Sequence, residues 1–159
     1  MSKLAFLVAG TFFMEFLDAT ILTTALPRMA ESMRVDALDL NVGVSIYALT
    51  IAVFILPSAW LVERFGARAV FTLAILLFTA SSIACGLANT PAVFDVARAS
   101  QGIGGALMVP VGRVVVLRTT AKTDLIRAVA ILTWPGLTAP LVGPPLGGWL
   151  ADAFTWRAS

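Results

Sequence analysis

Residues 4–26 read LAFLVAGTFFMEFLDATILTTAL, 23 consecutive residues that are apolar apart from a few threonines and two acids. As a helix rising 1.5 Å per residue, this stretch is long enough to cross a hydrocarbon core of about 30 Å. Glu15 and Asp18 sit near its middle, three residues apart, so their carboxylates project from nearly the same helix face. A charged side chain at mid-bilayer costs about 2.5–3.5 kcal/mol even on a lenient insertion scale. Acids held there turn toward protein or a wet cavity rather than lipid, and they mark function by default.

The remainder of the chain keeps the same character. Of its 159 residues 59% are hydrophobic and 13% are charged, and the mean hydropathy is +0.94. A soluble domain is nearer to half apolar and a quarter charged, so the chain belongs in a lipid bilayer. The isoelectric point near 9.2 does not indicate nucleic acid, because the net charge is only +2 and the basic residues flank apolar segments. Histidine is absent and Cys85 is the sole cysteine. That removes an intrachain disulfide, histidine-based metal sites and Ser-His or Cys-His nucleophile pairs. The residues therefore call for no cofactor and no metal, and they argue against an intramembrane enzyme.

Four further apolar segments follow. Pro27 is expected to end the first helix, with a polar link over residues 28–41. The second span covers 42–62 without a charge, with Trp60 as an interfacial anchor. A tight turn containing Glu63, Arg64, Gly66 and Arg68 leads to the third span, 69–88. Pro91 then opens the fourth span, 91–116, which carries Asp95, Arg98, Gln101 and Arg113. A basic link, 117–127, precedes the fifth span, 128–151. The expected fold is an all-α transmembrane bundle of five spans. With the N-terminus inside, Lys3, Arg64, Arg68, Arg113, Arg118, Lys122 and Arg127 put seven basic residues on the cytoplasmic side. Arg28, Arg34 and Arg157 put three outside, which is the favoured orientation.

Two constellations carry information beyond topology. Arg98, Gln101, Gly102 and Gly105 share one face of the fourth helix, and the glycines admit a close neighbour. A buried arginine needs an anion; Asp18, Glu15 and, one turn away, Asp95 are the candidates. The glycines at 102, 104 and 105 lie mid-span with no strand before them, which argues against a phosphate-binding loop. The fifth span contains Pro135, Pro140, Gly143, Pro144, Pro145, Gly147 and Gly148. So many helix breakers are tolerable in lipid only against protein, so Gly143, Pro144, Gly147 and Gly148 are read as a hinge or packing spine.

Taken together, these segments resemble the major facilitator superfamily, and within it the fourteen-helix drug:proton antiporter branch. Residues 17–27, LDATILTTALP, are similar to that branch's first-helix signature LDxTIVNVALP, with Thr23 in place of asparagine. Residues 59–68, AWLVERFGAR, resemble the superfamily turn GxLaDrxGrk, with Ala59 for its first glycine and Glu63 for its aspartate. Residues 98–105, RASQGIGG, resemble RxxQGxgg, and residues 139–148, APLVGPPLGG, resemble the helix-five motif gxxxGPxxGG. The resemblance implies the N-terminal part of a transporter domain, residues 1–159, five helices of a six-helix half. Further helices, a small-molecule substrate and protons would be its partners in the cell membrane. It also implies paired bundles of inverted three-helix repeats with alternating access, in which helices one and four line a cavity. Asp18, with Glu15 as a second candidate, would take up the proton, and Arg98 and Gln101 would be its charge partners. Glu63, Arg64, Gly66 and Arg68 would latch the cytoplasmic side, and the fifth helix would bend. The competing expectation is a non-transporting subunit or inactive remnant of such a transporter.

Overall fold

Four of the six α-helices begin where a capping side chain, a proline or a glycine predicts a start. The computed structural model describes the backbone of residues 3–153 and, apart from residue 37, the side chains of 4–149. Trp156 and Arg157 lie outside the described residues. Helix α1 spans Lys3–Met33, α2 Ala37–Phe54, α3 Ser58–Phe65, α4 Ala67–Leu87, α5 Pro91–Thr119 and α6 Leu125–Ala153, with a 3-10 turn at Lys122–Asp124. Four of these helices are long and apolar enough to cross a membrane, and the bent pair α2–α3 passes the same test when its two parts are taken as one span.

Helix α1 corrects the expected stop at Pro27. It runs through the proline to Met33 and ends two turns later. There Arg34 adopts a left-handed φ of 56°, the Arg34 amide donates to the Glu31 carbonyl (3.2 Å) and the Val35 amide to the Ala30 carbonyl (3.1 Å). That pair of bonds is a Schellman cap. A proline inside a helix forfeits one hydrogen bond and costs about 3 kcal/mol. Packing offsets it here: Ala25, Leu26, Met29 and Ala30 are buried with Leu40, Ala88 and Phe94. The polar link shrinks to residues 34–36, and the Asp36 carboxylate caps α2 by accepting the Leu38 amide at 3.0 Å.

The second span is not one straight helix over 42–62. It starts earlier, at residue 37, and breaks between Phe54 and Ser58 with a bend of 56°. Pro57 supplies no amide there, and the Ser58 hydroxyl donates to the Ile55 carbonyl at 2.6 Å. Gly66 then closes α3 and opens α4 at φ 84°, ψ 143°. Side-chain-bearing residues avoid that region. Gly66→Ala is expected to cost about 1–2 kcal/mol, read as a lowered thermal midpoint; an unchanged midpoint would count against the strain.

The third span agrees with expectation to within two residues. The Thr90 hydroxyl caps α5 by accepting the Val93 amide, and Pro91 takes the first turn. Both α5 and α6 outrun the predicted spans, so the basic link contracts to 120–124. Helix α6 continues unbroken through Pro135, Pro140, Pro144 and Pro145.

Helix α5 is the axis of the bundle: 61% of its most apolar window is buried, against 33% or less in the other three long helices. It packs along α4 on one side and α2 on the other, while α1 packs chiefly along α6 and touches α5 and α2. Phe12, Phe71, Phe78, Met108 and Val111 fill the centre. Leu7, Leu49, Leu73, Leu76, Ile126 and Leu141 are exposed, presenting apolar surface where lipid tails would be.

Candidate functional site

Arg98 organises the polar interior. It is 2% exposed, too deep for water to solvate its guanidinium, so its charge must be met by protein. Nη1 donates to Oδ2 of Asp18 at 2.9 Å and to Oε1 of Gln101. Gln101, fully buried, donates from Nε2 to the Ser82 hydroxyl at 3.3 Å. The Ser82 hydroxyl in turn donates to Oδ1 of Asp18 at 3.3 Å. These four side chains close a ring that ties α1, α4 and α5 together, and Cys85 Sγ adds a weak donation to Gln101 Oε1 at 3.6 Å. The Arg98 Cζ lies over the Tyr47 ring, 4.5 Å from its centroid, and over the Phe94 ring at 6.0 Å, which contributes further where solvent is excluded.

Helical spacing makes the ring possible. Arg98 and Gln101 are one turn apart on α5, and Ser82 and Cys85 one turn apart on α4, so each pair presents two polar atoms to the same point. Glu15 lies one turn before Asp18 on α1 but faces a different neighbour. It is 7% exposed, and its Oε2 has no partner among the described residues. Its Oε1 and the Tyr47 hydroxyl converge on Gly105, where a methyl group would meet them at 3.1 and 3.2 Å.

The structure therefore brings together Glu15, Asp18, Arg98 and Gln101, as the sequence predicts, and decides among the anions. Arg98 pairs with Asp18 and not with Asp95. The Asp95 carboxylate points instead at α2, so that a methyl on Gly43 would lie 2.9 Å from its Oδ1, an oxygen with no partner among the described residues. Tyr47, Ser82 and Cys85 are the members the sequence does not reveal: they sit in spans without charge, and small polar residues there look like ordinary helix-packing groups.

Asp18 and Arg98 also border a cavity of about 920 Å³ between α1 and α4, with Phe13, Met14, Phe78, Thr79 and Met108 among its walls. The remaining predicted residues lie elsewhere. Glu63, Arg64, Gly66 and Arg68 occupy the exposed α3–α4 turn, with the Arg64 guanidinium 5.8 Å from the Trp60 ring and 5.7 Å from that of Phe65. Gly143 and Gly147 press against Thr20 and Thr24 of α1, where added methyls would collide with the hydroxyls, while Gly148 has open space and Pro144 lies within the helix.

The model of the Major Facilitator Superfamily matches residues 8–159. The chain belongs to the major facilitator superfamily. Among its relatives in the superfamily, the protein of Salmonella dublin named "Putative multidrug resistance protein MdtD" is 44% identical over 151 residues. Proteins of the same name from Klebsiella pneumoniae (strain 342) and Escherichia coli O1:K1 / APEC are 44% and 43% identical over the same length. Each match covers 95% of this chain and 32% of the relative, so the chain spans about a third of the length of these superfamily members.

Proposed function

We propose that this chain is the N-terminal part of a transporter that exports small amphipathic compounds in exchange for protons. Further helices would supply the rest of the cavity. The observation that carries the reading is the Asp18–Arg98 pair at 2.9 Å with a second acid, Glu15, buried beside it. Two carboxylates and one cation lie close together inside the bundle, and only Asp18 is paired with the cation. A change in protonation then alters which contacts Arg98 can hold, and differential contacts of that kind are what shift a two-state carrier. The relatives' name, multidrug resistance protein, supports a drug substrate, and a carrier of this kind performs no covalent chemistry. The placement of basic residues supports a cytoplasmic N-terminus in the plasma membrane. In this reading the exposed Glu63–Arg68 turn latches the cytoplasmic face, and the glycine- and proline-rich part of α6 bends as the carrier changes state.

The test is proton-driven export of a fluorescent cationic dye in everted vesicles, with the chain expressed alone or with a segment supplying the relatives' remaining helices. Export is expected with the added segment, to stop when the pH gradient is collapsed, and to fall about tenfold or more in Asp18→Asn, the rate equivalent of about 1.4 kcal/mol. Export indifferent to the gradient would overturn proton exchange. Assembly with the added segment without any export would favour the non-transporting subunit.

A further inference from the structure

The polar interior holds two acids and one cation, and the geometry pairs them unequally. Asp18 has the Arg98 guanidinium at 2.9 Å and the Ser82 hydroxyl at 3.3 Å. Glu15 has neither. Its Oε2 and the Arg98 Nε are both buried, and each lacks a partner among the described residues, so the two do not pair with each other.

No other element packed on Glu15 brings it a cation. Helix α2 presents the Tyr47 hydroxyl, and α5 presents the wall at Gly105 and, beyond it, Arg98, already engaged by Asp18. On α4 the polar groups of this region, Ser82 and Cys85, serve Asp18 and Gln101. Helix α6 carries its ionisable residues, Arg127 and Asp152, at its two ends, whereas Gly136 is the residue level with Phe16 of α1. An ionised Glu15 would therefore be a buried, unbalanced negative charge, a state costing several kcal/mol in a protein interior. An ionised Asp18 is balanced where it stands.

We infer that the two acids divide the work: Asp18 is the standing counter-ion of Arg98, and Glu15 is the site that takes up and releases the transported proton. In the arrangement described here Glu15 is the neutral acid. It gives up its proton to water only when α1, α2 and α5 part enough to wet it, and a cationic substrate reaching the same carboxylate would take the proton's place. Gly105 is part of the device, because a methyl there would stand 3.1 Å from Glu15 Oε1 and 3.2 Å from the Tyr47 hydroxyl, so both would have to give way. This deepens the proposed proton exchange and rests on it for the direction of transport, but not for the protonation itself.

Infrared difference spectroscopy of the purified protein in lipid vesicles tests it, by recording the carbonyl stretch of a protonated carboxylic acid as the pH is raised, in H₂O and D₂O. One such band is expected to disappear at high pH. The band should be absent throughout in Glu15→Gln, shifted in Glu15→Asp, and unmoved in Asp18→Glu. Should Glu15→Gln fail to fold, the shift in Glu15→Asp decides alone. A band that survives Glu15→Gln, or that shifts in Asp18→Glu but not in Glu15→Asp, overturns the assignment, as does the lack of any titrating band. The vesicle export assay separates the two readings. Gradient-driven export with the band on Asp18 refutes only the division of roles, whereas a band on Glu15 without gradient-driven export refutes only the transport.

Discussion

Replacing Arg98 with methionine is expected to be the most damaging single change in the bundle interior, and its damage should be partly reversed by a second substitution. Methionine keeps most of the length and apolar stem of arginine but removes the cation. Asp18 is then left charged with only the Ser82 hydroxyl, and the Tyr47 and Phe94 rings lose the guanidinium they face. Removing one partner of a buried ion pair costs about 3–5 kcal/mol. Asp18 is 23% exposed toward the cavity, so water offsets part of this and about 3 kcal/mol is the expected loss. Adding Asp18→Asn removes the orphaned charge and should recover a large share of that loss, because the cost lies in the unpaired ion and not in the absence of the pair. The double-mutant cycle, read as thermal midpoints in mild detergent, should show strong non-additivity. Strictly additive effects would mean that the two residues do not meet in the folded protein.

The second large effect is expected at Gly104, a position where adding a single methyl group should change the sign of an ordinary rule. In an exposed helix, glycine to alanine is stabilising by about 1 kcal/mol. At Gly104 the new methyl would stand 2.8 Å from the Phe78 amide nitrogen and 3.0 Å from the Ala74 carbonyl oxygen and the Phe78 Cα. All three are backbone atoms of α4, which cannot rotate away as a side chain would, so α4 and α5 must separate. Overpacking of this kind costs about 1–3 kcal/mol, and separation also pulls Ser82 off Gln101. Gly104→Ala is thus expected to lower the thermal midpoint, and Gly104→Val to lower it more. Gly148→Ala is the control: nothing lies within 4 Å of its added methyl, so a neutral or slightly raised midpoint is expected. Equal effects at 104 and 148 would refute the close approach of α4 to α5.

Local reading failed where it depended on proline. Pro27 reads as the end of the first helix, yet α1 continues through it to Met33. The only proline-associated break among the described helices is at Pro57, in a segment with no charge to mark it. A proline's local penalty is the same in both places. After Pro27 the following turn buries Met29 and Ala30 against Leu40, Ala88 and Phe94. The glycines of α5 divide in a similar way. Gly102 and Gly105 are legible as a contact face, but Gly104, against which the α4 backbone packs, lies off that face and carries no local mark.

Residue pattern by itself determined that the chain is a bundle of membrane-crossing helices, that two acids and an arginine lie within it, and that they belong together. It could do so because apolar runs of bilayer length and charges stranded inside them have no other stable setting. Only the tertiary structure decided which acid meets the arginine. Glu15, Asp18 and Asp95 are all within a helical turn or an adjacent helix of plausible contact, and sequence spacing ranks them alike. The choice falls to Asp18 because α4 approaches α5 closely at Gly104 and brings Ser82 to complete the ring. The same packing encloses Glu15 near Tyr47 and Gly105, and leaves its Oε2 without a partner among the described residues.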